Sequence, residues 1–142
     1  MRTHRGTVAV ALLVGLGGLA GCDALPVGEE VHVTAIMEVR ALNPDGTPPI
    51  PINMKFMAAK WENGVRIGTT FTFFSLTDLD GKVSFQVGYN LQKSSQQIVL
   101  EIVCIVDNTV HQNRDTIQYD EALAQSVGTG IAVITKRVLV QL

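Results

Sequence analysis

Cysteine is almost missing from this chain. Cys22 and Cys104 are the two it has in 142 residues, which excludes a disulfide-built scaffold. Charge is sparse as well, at 17% of residues with a net value of −2. No basic cluster is present to give the electrostatic footprint of a nucleic-acid binder. Neither His32 nor His111 has a cysteine or second histidine at zinc-ligand spacing. A G-x-S-x-G nucleophile elbow is absent, and so is a phosphate-cradling glycine loop. Long apolar runs are lacking too, with one exception. Val8 to Gly21 carries no charge, but Gly15, Gly17, Gly18 and Gly21 interrupt it, and it is shorter than the ~20 residues a membrane-crossing helix needs.

That exception is informative. Arg2 and Arg5 precede the run and small residues close it, which is the layout of a secretory leader. An uncleaved anchor helix is the rival reading, and the glycines and the length speak against it. Leu19-Ala20-Gly21-Cys22 then resembles the lipobox of bacterial lipoproteins. The resemblance implies cleavage before Cys22, a diacylglyceryl group on its sulfur and acylation of the new amino terminus. Two or more acyl chains hold a protein stably where one does so marginally. Asp23 resembles the residue that retains enterobacterial lipoproteins at the inner membrane, which implies its periplasmic face. Residues 1–21 are therefore expected to be a leader, and 22–30 a lipidated cysteine with a short tether. Residues 23–30 reach at most about 26 Å at full extension, so the domain is held near its membrane.

Residues 31–142 suffice for one domain with its own core. With Arg2 and Arg5 gone, the net charge of the mature chain falls to −4. Strict alternation marks its strands. Val31, Val33, Ala35, Met37 and Val39 fall on one face of a first strand, and Ile52, Met54, Phe56 and Ala58 on one face of a second. Asn63-Gly64 is a hairpin signal. Val65–Thr77 forms the next strand, the Thr77–Gly81 stretch turns, and Val83, Phe85, Val87, Tyr89 and Leu91 alternate with polar residues. Ile98, Leu100, Ile102, Cys104 and Val106 share a further apolar face, which makes Cys104 a core residue, a reactive thiol being the other possibility. Ile131–Leu142 is apolar on both faces and should be well covered or shared between sheets. One short helix is expected at 119–126, capped by Asp120 and stopped by Gly128 and Gly130. Seven or so strands at this spacing predict an all-β, antiparallel β-sandwich.

NPDGTPPIPINMKF followed by TDLDGKVSFQVGYNL resembles bacterial immunoglobulin-like domains of the invasin type, and more loosely carboxypeptidase-regulatory-like domains. Asp45, Gly46, Pro48 and Phe56 carry the first half of the match, and Thr77, Asp78, Gly81, Val83 and Phe85 the second. The match spans about residues 31–106. It implies an Ig-like sandwich, and its motifs are turn-and-strand devices that speak to fold more than to activity.

Candidate chemistry is thin. Asp78-Leu79-Asp80-Gly81 opens like a calcium loop, but Tyr89 stands at the twelfth position where a carboxylate is required; a glycine-bearing turn fits better. His111 and Asp115 would share a metal only on a helix, and that stretch reads as loop or strand. Trp61 faces away from Met54, Phe56 and Ala58, beside Arg66, and this pair of residue types is favoured at binding hot spots. The alternative is a ring covering the sandwich edge, stacked on Lys60 or Arg66. The expectation is thus a non-enzymatic envelope lipoprotein without metal or cofactor, whose sandwich braces or binds a neighbouring envelope protein. A lipoprotein that binds a small apolar or carbohydrate ligand, between its sheets or at loop tips, is the second possibility, favoured by a pocket lined by Phe71, Phe73 and Phe74, and a hydrolase built around His111 is the third. The first expectation is directly testable. A Cys22→Ser chain should leave the membrane fraction, and the membrane form should carry the added mass of the lipid. Full retention of the variant in membranes would reject the anchor.

Overall fold

A computed structural model describes residues 30–93 and 95–142; the expected leader, Cys22, Asp23 and most of the tether lie outside them. Seven strands and one helix follow in the order β1 (Glu30–Leu42), β2 (Asn53–Glu62), β3 (Val65–Leu76), β4 (Lys82–Gln92), β5 (Gln96–Val106), β6 (Thr109–Gln118), α1 (Tyr119–Gln125) and β7 (Ile131–Gln141). They form two sheets, a three-stranded one ordered β4-β1-β7 and a four-stranded one ordered β3-β2-β5-β6. The fold is an all-β sandwich with one short helix.

The alternation read from the sequence is what packs the two sheets. Val31, Val33, Ala35 and Met37 are wholly buried, as are Met54, Phe56, Leu91, Ile98, Leu100 and Ile102. Phe56 of β2 stacks on Phe85 of β4, with ring centroids 4.9 Å apart and planes 7° from parallel. One face of each strand is therefore spent on the core and the other on the surface.

The strand order has two features that alternation could not reveal. β1 pairs antiparallel with β4 but parallel with β7. The first and second strands also lie in different sheets, whereas the constant-type immunoglobulin order places A beside B. Parallel pairing of the first and last strands needs a long return path, and here the whole second sheet and α1 supply it. A third difference concerns β7. Ala132, Ile134, Val138 and Val140 are buried, but Ile131, Val133 and Leu139 remain 52%, 60% and 51% exposed. β7 is an edge strand with one covered face, not a strand buried on both.

Turns sit where the chemistry calls for them. Asn63 and Gly64 both have positive φ, as do Asp107 and Asn108, which is the signature of two-residue hairpin turns matched to strand twist. The helix starts at Tyr119, where it was expected, but its cap is Gln118, whose side chain makes no capping bond, and not Asp120; Asp120 and Glu121 lie in the first turn. There they complement the helix dipole. Ser126 ends the helix by donating its amide to Ala122.

Gly81 is the tightest point. Its φ is +75°, and a Cβ there would sit 2.4 Å from the Ala41 carbonyl oxygen. Gly81 accepts the Ala41 amide at 2.8 Å in return, so the turn locks onto the end of β1. Gly81→Ala is expected to lower the melting temperature well beyond Gly46→Ala. Gly46 has a similar φ but open space around it, so only backbone strain of about 1–3 kcal/mol applies there. Equal melting shifts for the two variants would show that the Ala41 contact can relax.

Candidate functional site

Strand ends define two poles. Glu30 pairs with Gln92, His32 with Ile131, Glu62 with Val65 and Gln96, and Gln97 with Gln118. The three-residue connection from β4 to β5 joins the sheets at this end, so the chain enters the domain at the same pole. The turns after β1, β3 and β5 lie at the opposite one.

Among the described residues, the outward surface of the four-stranded sheet carries four large, exposed apolar side chains toward one pole. Register puts Phe74 beside Lys55, Lys55 beside Val103, and Ile105 beside Val110, all on the side away from the core. Phe74, Leu76, Ile105 and Val110 are 63%, 61%, 65% and 58% exposed. Exposed apolar groups gathered in this way make this face the candidate for an interaction surface. It lies at the far pole, on the sheet that does not contain β1.

Trp61 occupies the same surface, nearer the entry pole. Its position away from the core is as the pattern implied, since Trp61 stands opposite Gln97 of β5. Arg66 is its direct neighbour on β3 and is exposed. The cation over the indole is a different one: the Arg114 guanidinium lies 5.9 Å from the ring centroid, and its Nε is 3.5 Å from Glu101 Oε1. Arg114 reaches the ring from β6, across β5. Fifty-two intervening residues of loops and strands hide that neighbour from local sequence reasoning. The ring is thereby half-buried and oriented, with Arg114 and Glu101 as its polar border.

The candidate chemistry resolves into structure. The Asp78 carboxylate accepts the amides of Asp80 and Lys82 at 2.9 and 2.8 Å, so it closes the turn itself. His111 and Asp115 stand on β6, where four residues span about 14 Å, too far to share an ion. His32 Nδ1 lies 2.8 Å from the Asn90 side-chain oxygen. No group of His, Cys, Asp or Glu among the described residues could hold a metal ion, and no described helix is long and apolar enough to cross a membrane.

The three phenylalanines do not enclose a pocket. Phe71 packs edge-on against Tyr89 at 5.4 Å and stacks on Phe73, while Phe74 points to the opposite face of β3. The Tyr89 hydroxyl lies 2.7 Å from the Ala58 carbonyl and 3.0 Å from that of Thr69. These carbonyls flank the irregularity where β2 and β3 slip register. An open groove of about 700 Å³ lies instead on the three-stranded sheet, between Glu38, Arg40, Lys82, Arg137 and Leu139. Arg137 is already paired with Glu38 at 2.9 Å there.

Protein-family models, curated proteins and solved structures were all compared with the chain, and none matches it.

Cys104 is a buried free thiol, and burial pushes its pKa above the ordinary thiol value. Thiolate is the reactive form, so Cys104 should resist alkylation in the folded chain near neutral pH and react fully once unfolded. Prompt labelling of the native protein at this residue would return it to the list of reactive groups.

Proposed function

We propose that the chain is a non-enzymatic, lipid-anchored envelope protein, and that its sandwich is a protein-binding accessory module held close to the membrane. The anchor rests on the leader and on Leu19-Ala20-Gly21-Cys22. The binding role rests on one observation above the rest: the exposed cluster of Phe74, Leu76, Ile105 and Val110. β1 enters the domain at Glu30 in the other sheet, and along its thirteen residues a strand covers about 40 Å. The cluster therefore occupies the corner farthest from the tether. A tether of about 26 Å keeps the entry pole at the bilayer and leaves this corner to a neighbouring protein. Trp61, with Arg66 and Arg114 around it, extends the same surface toward the entry pole.

The apolar cluster supplies burial and the Trp61–Arg114–Glu101 group a polar border, the composition of a binding hot spot with its rim. Cross-linking in the native cell, followed by gentle extraction, tests this. Recurrent envelope partners are expected, and they should be lost with Phe74→Ser or Trp61→Ala while the melting temperature changes little. An unchanged set of partners in both variants would remove this face from the interaction.

A further inference from the structure

Strand β3 is the least protected edge of the sandwich. Every residue of it except Ile67 and Phe71 is exposed, and from Ile67 to Leu76 it carries no charge and no proline. Exposed edges are ordinarily blunted by lysine, proline or a bulge. β3 has only Gly68, φ +69°, at the slip in register near its start. From Phe71 onward, where the ladder with β2 is regular, nothing guards it.

Its unpaired backbone groups can be identified. The Thr77 amide donates to the Ile52 carbonyl, so Thr77 faces β2. Alternation along the regular part of the ladder, from Leu76 to Phe71, then turns the N–H and C=O of Thr72, Phe74 and Leu76 away from the sheet. Water satisfies such a row on an isolated chain, and an unguarded row is a ready template for another extended strand. That strand must also tolerate aromatic neighbours and place no charge opposite this stretch.

β3 itself meets each of these requirements. We infer that β3 is the seam of a two-fold dimer, pairing antiparallel with β3 of a second copy about Thr72. Thr72 then exchanges two backbone hydrogen bonds with its symmetry mate, Thr70 faces Phe74 of the other copy, and Phe71 faces Phe73. The charge-free residues 68–76 lie wholly opposite one another, and no like charges meet. Phe73, still 42% exposed although it stacks on Phe56, gains an aromatic neighbour at the open side of the sandwich. The four-stranded sheets join into one of eight strands. This rests on reading the domain as a protein-binding module, and it names a partner.

The area is modest. At about 150–250 Å² per aromatic, the exposed parts of Phe73 and Phe74 offer roughly 200 Å² per copy. With the backbone edge added, the interface belongs at the small end, below about 1,200 Å². The dimer is therefore weak in free solution, and confinement to a membrane raises its effective concentration.

The test uses the full chain carrying Cys22→Ser, so that neither the anchor nor its thiol contributes. Sedimentation equilibrium should show a mass that doubles as concentration rises through the micromolar range, and Thr72→Lys should hold the chain as a monomer with an unchanged melting temperature. Register is read by disulfide trapping. Cα atoms of a directly hydrogen-bonded pair lie about 5.5 Å apart, within disulfide reach, so Thr72→Cys should cross-link to itself under mild oxidation. Thr70→Cys should not, because its mates would stand about 14 Å apart. A chain that stays monomeric throughout, or equal cross-linking of the two cysteine variants, overturns the dimer. If the purified chain is monomeric while Phe74→Ser still loses cellular partners, the dimer falls and the binding module stands.

Discussion

Burial of one face of β1 is the constraint on which the rest of the structure depends. Val31, Val33, Ala35, Met37 and Ala41 have no accessible surface at all, and β1 is the one strand of its sheet with a neighbour on both sides. A slip by a single residue would turn that whole row to solvent. The pairings with β4 and β7 are thereby fixed, and with them the places where β4 hands over to β5 and α1 to β7. The second sheet closes over the same row through Phe56, Leu100 and Ile102. Its outward face, where the exposed apolar groups collect, is positioned as a consequence.

Closure differs between the two sides of the sandwich. Between β6 and β7, the Asn113 amide donates to the Leu139 carbonyl at 3.1 Å, Lys136 pairs with Glu121 at 2.7 Å, and α1 buries Ala122 against the core. Polar groups along that side have partners, and β7 is capped by the helix. Between β3 and β4 the closure is aromatic: Phe56, Phe71, Phe73, Phe85 and Tyr89 form a run of stacked and edge-on contacts. Hydrogen bonds across this side come from the Tyr89 hydroxyl, to the two carbonyls at the slip in register, and from Lys60 Nζ, to the Asn90 carbonyl at 3.0 Å. Aromatic packing fills this side without covering the outer backbone of β3. The open edge thus follows from how the core is closed.

Much of this was legible in the sequence, for a simple reason. A strand that buries one face writes a period of two, so the inward rows of β1, β2, β4 and β5 could be named residue by residue, and Asn63-Gly64 fixed the intervening hairpin. What a period cannot carry is the identity of a strand's neighbours. The parallel β1–β7 pair, the departure from the immunoglobulin strand order and the edge position of β7 all depend on contacts between residues about a hundred positions apart. The surface behaved in the same way. Trp61 was placed on the correct side by parity, but its cation comes from Arg114 on β6 and not from the adjacent Lys60 or Arg66. Phe71, Phe73 and Phe74 read as one aromatic group, yet strand geometry sends the third to the other face. Asp78 resembled a cation ligand because an aspartate that closes a turn uses the same spacing.

The proposed lipid tether and the proposed two-fold seam bear on each other. An antiparallel β3 pair has its two-fold axis perpendicular to the sheet, which sends the entry poles of the two copies to opposite ends. Were the strands to stand upright on a bilayer, one Cys22 would lie near the membrane and the other a full strand length above it. A tether of about 26 Å cannot span that distance together with the depth of the domain. The two requirements agree only if the two-fold runs along the membrane normal and the dimer lies flat. In that pose the sheet containing β1 faces the lipid, since β1 receives the tether. That face carries Arg40 and Lys82 with the apolar side chains of Ile131, Val133 and Leu139, a combination suited to the bilayer interface. The eight-stranded sheet then faces away from the membrane. It presents two copies of the Phe74–Ile105 surface side by side, so that one weak seam turns two small binding faces into a single broad one.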